Sequence, residues 1–135
     1  MRVVTDFSDF ELIDASDGER LERWKDIILI RPDPQVIWCE GRKTHLWNKA
    51  NAIYHRSQSG GGYWETLTKV PDVWSIGCQG LTFRLKPMGF KHTGLFPEQA
   101  VNWRLAKELI EKENREIKVL NLFAYTGGAT VAPPV

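Results

Sequence analysis

The sequence predicts an α/β fold in two parts: a small β-rich α+β domain over residues 1–87, then the start of a parallel-sheet domain over residues 88–135. Three observations predict it. Short apolar or alternating runs, punctuated by Gly and Pro, fill the first part. One helical pattern follows, from Pro97 to Asn114. The run Lys118–Phe123, KVLNLF, then leads into a turn that ends in Gly127 and Gly128. Helix, buried apolar strand and glycine turn, in that order, open a parallel α/β unit.

Within the first part, Phe10–Asp14 reads as a strand and Asp17-Gly18 as a turn. Gly18–Trp24, GERLERW, is expected to make one helical turn. Asp26–Arg31, DIILIR, is a strong strand, and Pro32 and Pro34 end it, because proline lacks the ladder N–H and holds its predecessor extended. Asn48–Tyr54 is expected to be helical. Ser57–Gly62, SQSGGG, is a linker or hairpin tip; no apolar strand leads into it and no Lys-Ser/Thr pair closes it, so it is not a phosphate loop. Val73–Gly77 and Leu81–Lys86 read as a hairpin, joined by Cys78-Gln79-Gly80. In LTFRLK, Leu81, Phe83 and Leu85 fall on one face, with Thr82, Arg84 and Lys86 on the other.

Met88–Gln99 is an irregular linker. Pro97 suits a first helical turn and Glu98 its positive end. Val101, Leu105 and Leu109 step at i, i+4, with Ala106 and Ile110 adjoining, so this stripe is expected to pack on a sheet.

Hydrophobic residues at 42% and charged residues at 26% call for a packed core rather than disorder. Net charge is +1, which favours no class of partner globally. Local charge differs. Gly41–Trp64 has no acidic residue, and Leu81–Glu98 is basic until its last position. Each reads either as a solvated face or as a phosphate-contacting surface; the aromatics Trp38, Trp47, Tyr54, Tyr63 and Trp64 are either core or base-stacking platforms. Cys39 and Cys78 have no metal spacing, and no metal is expected. The N-terminus has no apolar signal core, and no run reaches the length of a membrane span. A cytoplasmic protein with reduced thiols is the expectation.

A glycine turn at the carboxyl end of a strand lets backbone approach a ligand. NAD, a flavin, a nucleotide phosphate or S-adenosylmethionine all suit it physically, and so does a turn with no ligand. YTGGAT does not meet GxGxxG, and no GxxxxGK[ST] occurs.

NLFAYTGGAT resembles motif I of class I S-adenosylmethionine-dependent methyltransferases. More narrowly, FKHTGLFPEQ (Phe90–Gln99) followed by VLNLFAYTGG (Val119–Gly128) resembles the ribosomal-RNA large-subunit cytosine-5 methyltransferase-like family. The likeness is specific over Phe90–Thr130 and looser over the first 86 residues. It implies that the second part begins a Rossmann-like catalytic domain, with S-adenosylmethionine as cofactor and RNA as substrate. Asn121, Phe123, Ala124, Tyr125, Thr126, Gly127 and Gly128 would form the cofactor loop, and Gln99 and Phe96 would sit beside it. Read as residues alone, Phe96 equally suits a core plug and Gln99 a helix cap.

The resemblance also implies segments that this sequence lacks: later strands, an acidic residue for the ribose hydroxyls and a cysteine nucleophile. No catalytic residue is assigned; Cys39 and Cys78 lie upstream of the loop and read as buried hydrophobes. Thr130-Val131-Ala132 begins a helix that Pro133-Pro134 stops. The implication is an N-terminal fragment, inactive alone, whose bare strand is open to self-association. The alternative is an RNA- or partner-binding β-rich module without catalysis.

Overall fold

The computed structural model describes residues 3–113 and 115–132. Strands β1 (Phe10–Ser16), β2 (Glu19–Trp24) and β3 (Ile27–Pro32) form an antiparallel meander. Asp17 and Gly18 both take positive φ, at 55° and 76°, in the two-residue turn that suits the twist of a hairpin. That turn decides the segment after it. Residues 18–24 do not form the expected helical turn. They return antiparallel as β2, with Glu22 and Trp24 on one face and Leu21 on the other.

β4 (Ala52–Arg56) lies parallel to β3, with Leu29 opposite Ala52 and Ile30 opposite Ile53. Asn51 starts this pairing: its Oδ1 accepts from the Ile28 N–H at 2.7 Å, and its own N–H donates to the Ile28 carbonyl at 2.7 Å. The expected helix at 48–54 is therefore corrected to a short 3-10 turn, His45–Lys49, followed by strand. The β-branched and aromatic run Ile53–Tyr54 fits a strand better than a helix. β5 (Gly62–Thr66) closes the sheet in the order β1-β2-β3-β4-β5. A separate hairpin, β6 (Trp74–Cys78) and β7 (Leu81–Leu85), turns at Gln79-Gly80, again with both φ positive.

The five-stranded sheet is covered on both faces. One face carries Leu21 and Ile30 against Trp47 and Ala50. The other carries Trp24, Ile27, Leu29 and Ala52. These pack with Ile76, Cys78 and Leu85 of the hairpin and with Leu95, Ala100 and Trp103. Leu95 precedes helix α1 (Ala100–Lys112), and a 3-10 turn at Pro97–Gln99 leads into that helix. Each fully buried Leu or Ile of this core stabilises by about 1.5–3 kcal/mol. Ala100 and Trp103, in the first turn of α1, face that core, whereas Leu109 is 55% exposed. The expected stripe Val101–Leu105–Leu109 is thus not the buried face, because the core meets only the start of the helix. The expected helix end at Asn114 and the stop at Pro133-Pro134 lie outside the described residues.

Residues 118–123 correct the expectation of a buried central strand. They pair with no strand among the described residues, and Val119, Leu120, Leu122 and Phe123 are exposed, Phe123 to 92%. A short apolar run is buried as a strand only if neighbouring strands take its N–H and C=O groups. Helix α2 (Gly128–Val131) follows the glycine turn as expected.

Candidate functional site

The segment FKHTGLF is anchored to the sheet by a buried ion pair. Glu22 and Arg31 sit diagonally across β2 and β3, 1% and 2% exposed. Arg31 donates from Nε to Glu22 Oε2 at 2.7 Å and from Nη2 to Oε1 at 2.8 Å. Trp24 Nε1 adds a third hydrogen bond to Glu22 at 3.0 Å. The remaining guanidinium nitrogen, Nη1, donates to the Lys91 carbonyl at 2.9 Å. Lys91 Nζ in turn donates to the Pro32 carbonyl at 3.3 Å. Residues 86–93 fold back on themselves, with Lys86 N–H on Thr93 O at 3.2 Å and Met88 N–H on His92 O at 3.3 Å. Trp64 Nε1 holds Met88 O at 2.9 Å.

From this base an aromatic row runs to the glycine turn. The ring centroids are 5.5 Å apart for Phe90–His92, 5.1 Å for His92–Phe96 and 4.7 Å for Phe96–Tyr125. Burial, then the nearby Arg31, Lys91 and Arg20 cations, hold the His92 pKa below its ordinary value, with Glu98 opposing. Burial pushes the Tyr125 phenol up, with smaller opposing effects from Arg31 and a hydrogen bond to Gly94. Tyr125 therefore stays protonated at neutral pH.

The turn itself is tightly specified. Tyr125 has φ of 50° and Gly127 of 94°; for a non-glycine residue that conformation costs about 1–2 kcal/mol. The Gly127 N–H closes on Ala124 O at 2.8 Å. Gly128 lies against the Trp103 ring, where a Cβ would come within 2.8 Å of the indole. Thr126 Oγ1 donates to the Gly94 carbonyl at 2.5 Å, which ties the two sequence motifs together.

Between the motifs is a cavity of about 370 Å³ lined by Phe96, Gln99, Phe123, Ala124, Tyr125, Thr126 and Gly128, with Leu95, Trp103 and Ala129. Of the residues named from sequence, Asn121 lies outside this lining and donates to Thr130 Oγ1 at 3.0 Å. Gly127 shapes the turn without lining the cavity. Gln99 does not cap α1 with its side chain; its Oε1 accepts from Asn102 at 2.9 Å. Leu95 and Ala129 lie within the two motifs but are not among the site residues named from them, and Trp103 lies outside both. Trp103 was findable, since it lies one helical turn after Gln99.

The cavity suits a mixed apolar and polar ligand. Tyr125, Phe96, Phe123 and Trp103 offer faces for a planar ring and for a sulfonium cation. The N–H groups of Gly128 and Ala129 donate to no other described residue. Its size falls in the usual range of about 300–1,000 Å³ for small-ligand sites. No carboxylate lines it, so these residues supply no charged acceptor for ribose hydroxyls.

Elsewhere the basic stretch 41–64 is partly neutralised. Arg42 pairs with Glu19 at 2.8 Å and lies over the Trp47 ring, Lys43 pairs with Glu40 at 2.5 Å, and His55 contacts Glu65 at 2.6 Å. Trp47 and Tyr54 are buried. Both cysteines are free thiols; Cys78 is buried as expected, and burial pushes its thiol up to about 11, but Cys39 is exposed, which corrects the expectation of a buried residue there, because it lies in the loop after β3.

No family model matches the chain. A crystal structure of an S-adenosylmethionine-dependent methyltransferase from Agrobacterium tumefaciens is similar over 96% of this chain and 41% of its own, at 35% identity and a TM-score of 0.86. A putative methyltransferase of the same cofactor class from Streptococcus mutans shares the fold over 95% of this chain and 36% of its own, with a TM-score of 0.61 at 18% identity. The ribosomal RNA large subunit methyltransferase K/L of Colwellia psychrerythraea is 31% identical over 78 residues, which are 58% of this chain and 10% of that protein. The chain thus spans less than half the length of each.

Proposed function

For a chain related in sequence and fold to class I S-adenosylmethionine-dependent methyltransferases, we propose that residues 88–135 carry part of the methyl-donor site of an RNA base methyltransferase and that residues 1–87 are its accessory domain. The observation that carries this reading is the cavity between Phe96–Gln99 and Phe123–Gly128. Two motifs separated by a helix meet there, joined by the Thr126–Gly94 hydrogen bond.

Bound S-adenosylmethionine supplies a methyl group on a sulfonium. The chain's part is to hold it. Phe96, Gln99, Asn121 and Phe123–Gly128 are the proposed cofactor-binding residues. Tyr125 and Phe96 would hold the sulfonium end and keep water from it, and the turn N–H groups would offer donors to the polar end. No described residue is placed as a nucleophile: Cys78 is buried on β6 and Cys39 lies in the loop after β3. The 135-residue chain is therefore expected to bind donor weakly and to transfer no methyl alone. The RNA substrate and a cytoplasmic location belong to the same proposal, as does self-association through the exposed segment 119–123. No helix among the described residues is long and apolar enough to cross a membrane.

Labelled S-adenosylmethionine tests this reading. Saturable binding, lost in Gly127→Val, supports it. Binding that Gly127→Val leaves intact contradicts it, and methyl transfer to ribosomal RNA by this chain alone contradicts the inactivity.

A further inference from the structure

On the other side of Thr126 from the donor cavity lies a groove along β7. Two cavities of about 330 and 460 Å³ adjoin there and share Arg84, Gly94 and Thr126 as lining. Thr82, Arg84 and Lys86 line it from one face of the strand, two residues apart and so about 7 Å along the chain, and Leu81, Phe83 and Leu85 line it from the other. That interval is close to the spacing of successive phosphates in an extended single strand. Arg84 and Lys86 are exposed, and neither has an ion-pair partner among the described residues. No carboxylate lines either cavity. Beside the two cations the wall is apolar, from Val73 and Met88, with Leu85 buried beneath it. One polar group interrupts it. Thr93 is fully buried, its Oγ1 has no hydrogen-bond partner, and it lines the first cavity.

We propose that this groove binds a single-stranded RNA segment, with Arg84 and Lys86 on consecutive phosphates, a base against Val73 and Met88, and the Thr93 hydroxyl on a polar edge of that base. An unpaired buried hydroxyl costs free energy unless a partner arrives. The pair of cations beside an apolar slot matches a nucleotide better than it matches a free anion, which has no apolar part to fill the slot. The placement rests on the donor reading in one respect: Thr126 lines both the groove and the donor cavity, so a base in the groove lies one residue from the donor. Methyl transfer needs reacting atoms brought to about 3–3.5 Å.

The test is fluorescence anisotropy of a labelled, unstructured RNA octamer with the full 135-residue chain, over a range of salt concentrations. The double variant Arg84→Ala/Lys86→Ala is expected to bind at least tenfold more weakly. Its log-affinity against log-salt slope should be shallower by about 0.7 for each cation lost. Thr93→Val, which keeps the shape, should weaken binding about threefold with an unchanged or higher Tm. S-adenosylmethionine binding should persist in the double variant, so failure of the donor reading shows separately. RNA affinity and salt slope that are equal in wild type and double variant overturn the proposal. So does competition by polyglutamate as strong as by unlabelled RNA.

Discussion

The Thr126 hydroxyl donates to the Gly94 carbonyl at 2.5 Å, across 32 residues of sequence. It joins two glycine-bearing turns, one before α1 and one after it. Gly94 has φ of 100° and Gly127 of 94°, so each turn is held in a shape few side chains allow. Thr126→Val removes the donor and keeps the volume. The expected result is a drop of about tenfold in S-adenosylmethionine affinity, with Tm nearly unchanged, because the contact is at the surface. Thr126→Ser should restore binding. Unchanged affinity in Thr126→Val would show that the two turns do not depend on each other.

Gly128 is expected to be intolerant of substitution for a different reason than Gly127. At Gly128 the obstacle is the Trp103 ring, 2.8 Å from the point a Cβ would occupy, and overpacking of this kind costs about 1–3 kcal/mol. Gly128→Ala should therefore alter the near-ultraviolet circular dichroism of Trp103 and weaken donor binding. Gly128→Ala/Trp103→Leu should recover part of that binding by making room. A Gly128→Ala protein with native spectrum and affinity would refute the packing account.

The Glu22–Arg31 pair is expected to dominate the stability of the junction. Arg31→Met takes from buried Glu22 its bidentate guanidinium and leaves it, among the described residues, only Arg20 as a cation, 3.1 Å from Oε1; removing one partner of a buried pair costs up to about 3–5 kcal/mol. It also releases the Lys91 carbonyl. The double change Glu22→Leu/Arg31→Met should be less destabilised than Arg31→Met in urea unfolding. Equal loss in the single and double variants would mean that the ion pair is not the source of the effect.

His92 makes stability depend on pH. Its folded pKa lies below the ordinary value of 6.5, so below that value the unfolded chain binds more protons than the folded one. The contribution of neutral His92 is full above pH 6.5 and is lost as pH falls toward the folded value. The Tm of wild type should drop more between pH 7.5 and 5.5 than that of His92→Gln. Parallel curves for the two proteins would contradict this.

Much of the fold is legible in local chemistry. Gln79-Gly80 announces a hairpin and Asp17-Gly18 a turn, each of which takes positive φ, and Pro32 ends β3. The failures have physical causes. GERLERW has a helical spacing of Leu21 and Trp24, but the turn before it fixes the chain as the return strand of a hairpin. KVLNLF has the composition of a buried strand, yet burial depends on partner strands that no local pattern supplies. At the site, the glycine turn and Phe96–Gln99 are readable as motifs, and they meet around one cavity. Arg31, which holds the motif segment in place from a distant strand, is not readable, because its role arises only when β3 and Lys91 come together.

The most direct test of the donor reading is backbone nuclear magnetic resonance of the 15N-labelled chain titrated with S-adenosylmethionine into the millimolar range. The expected result is saturable shifts of the amides of Tyr125, Thr126, Gly127, Gly128, Phe96 and Gln99, with Trp103 Nε1 following and the β1–β5 sheet unmoved. No saturable shift at these amides, or shifts confined to the sheet, would contradict the assignment of this cavity to the methyl donor.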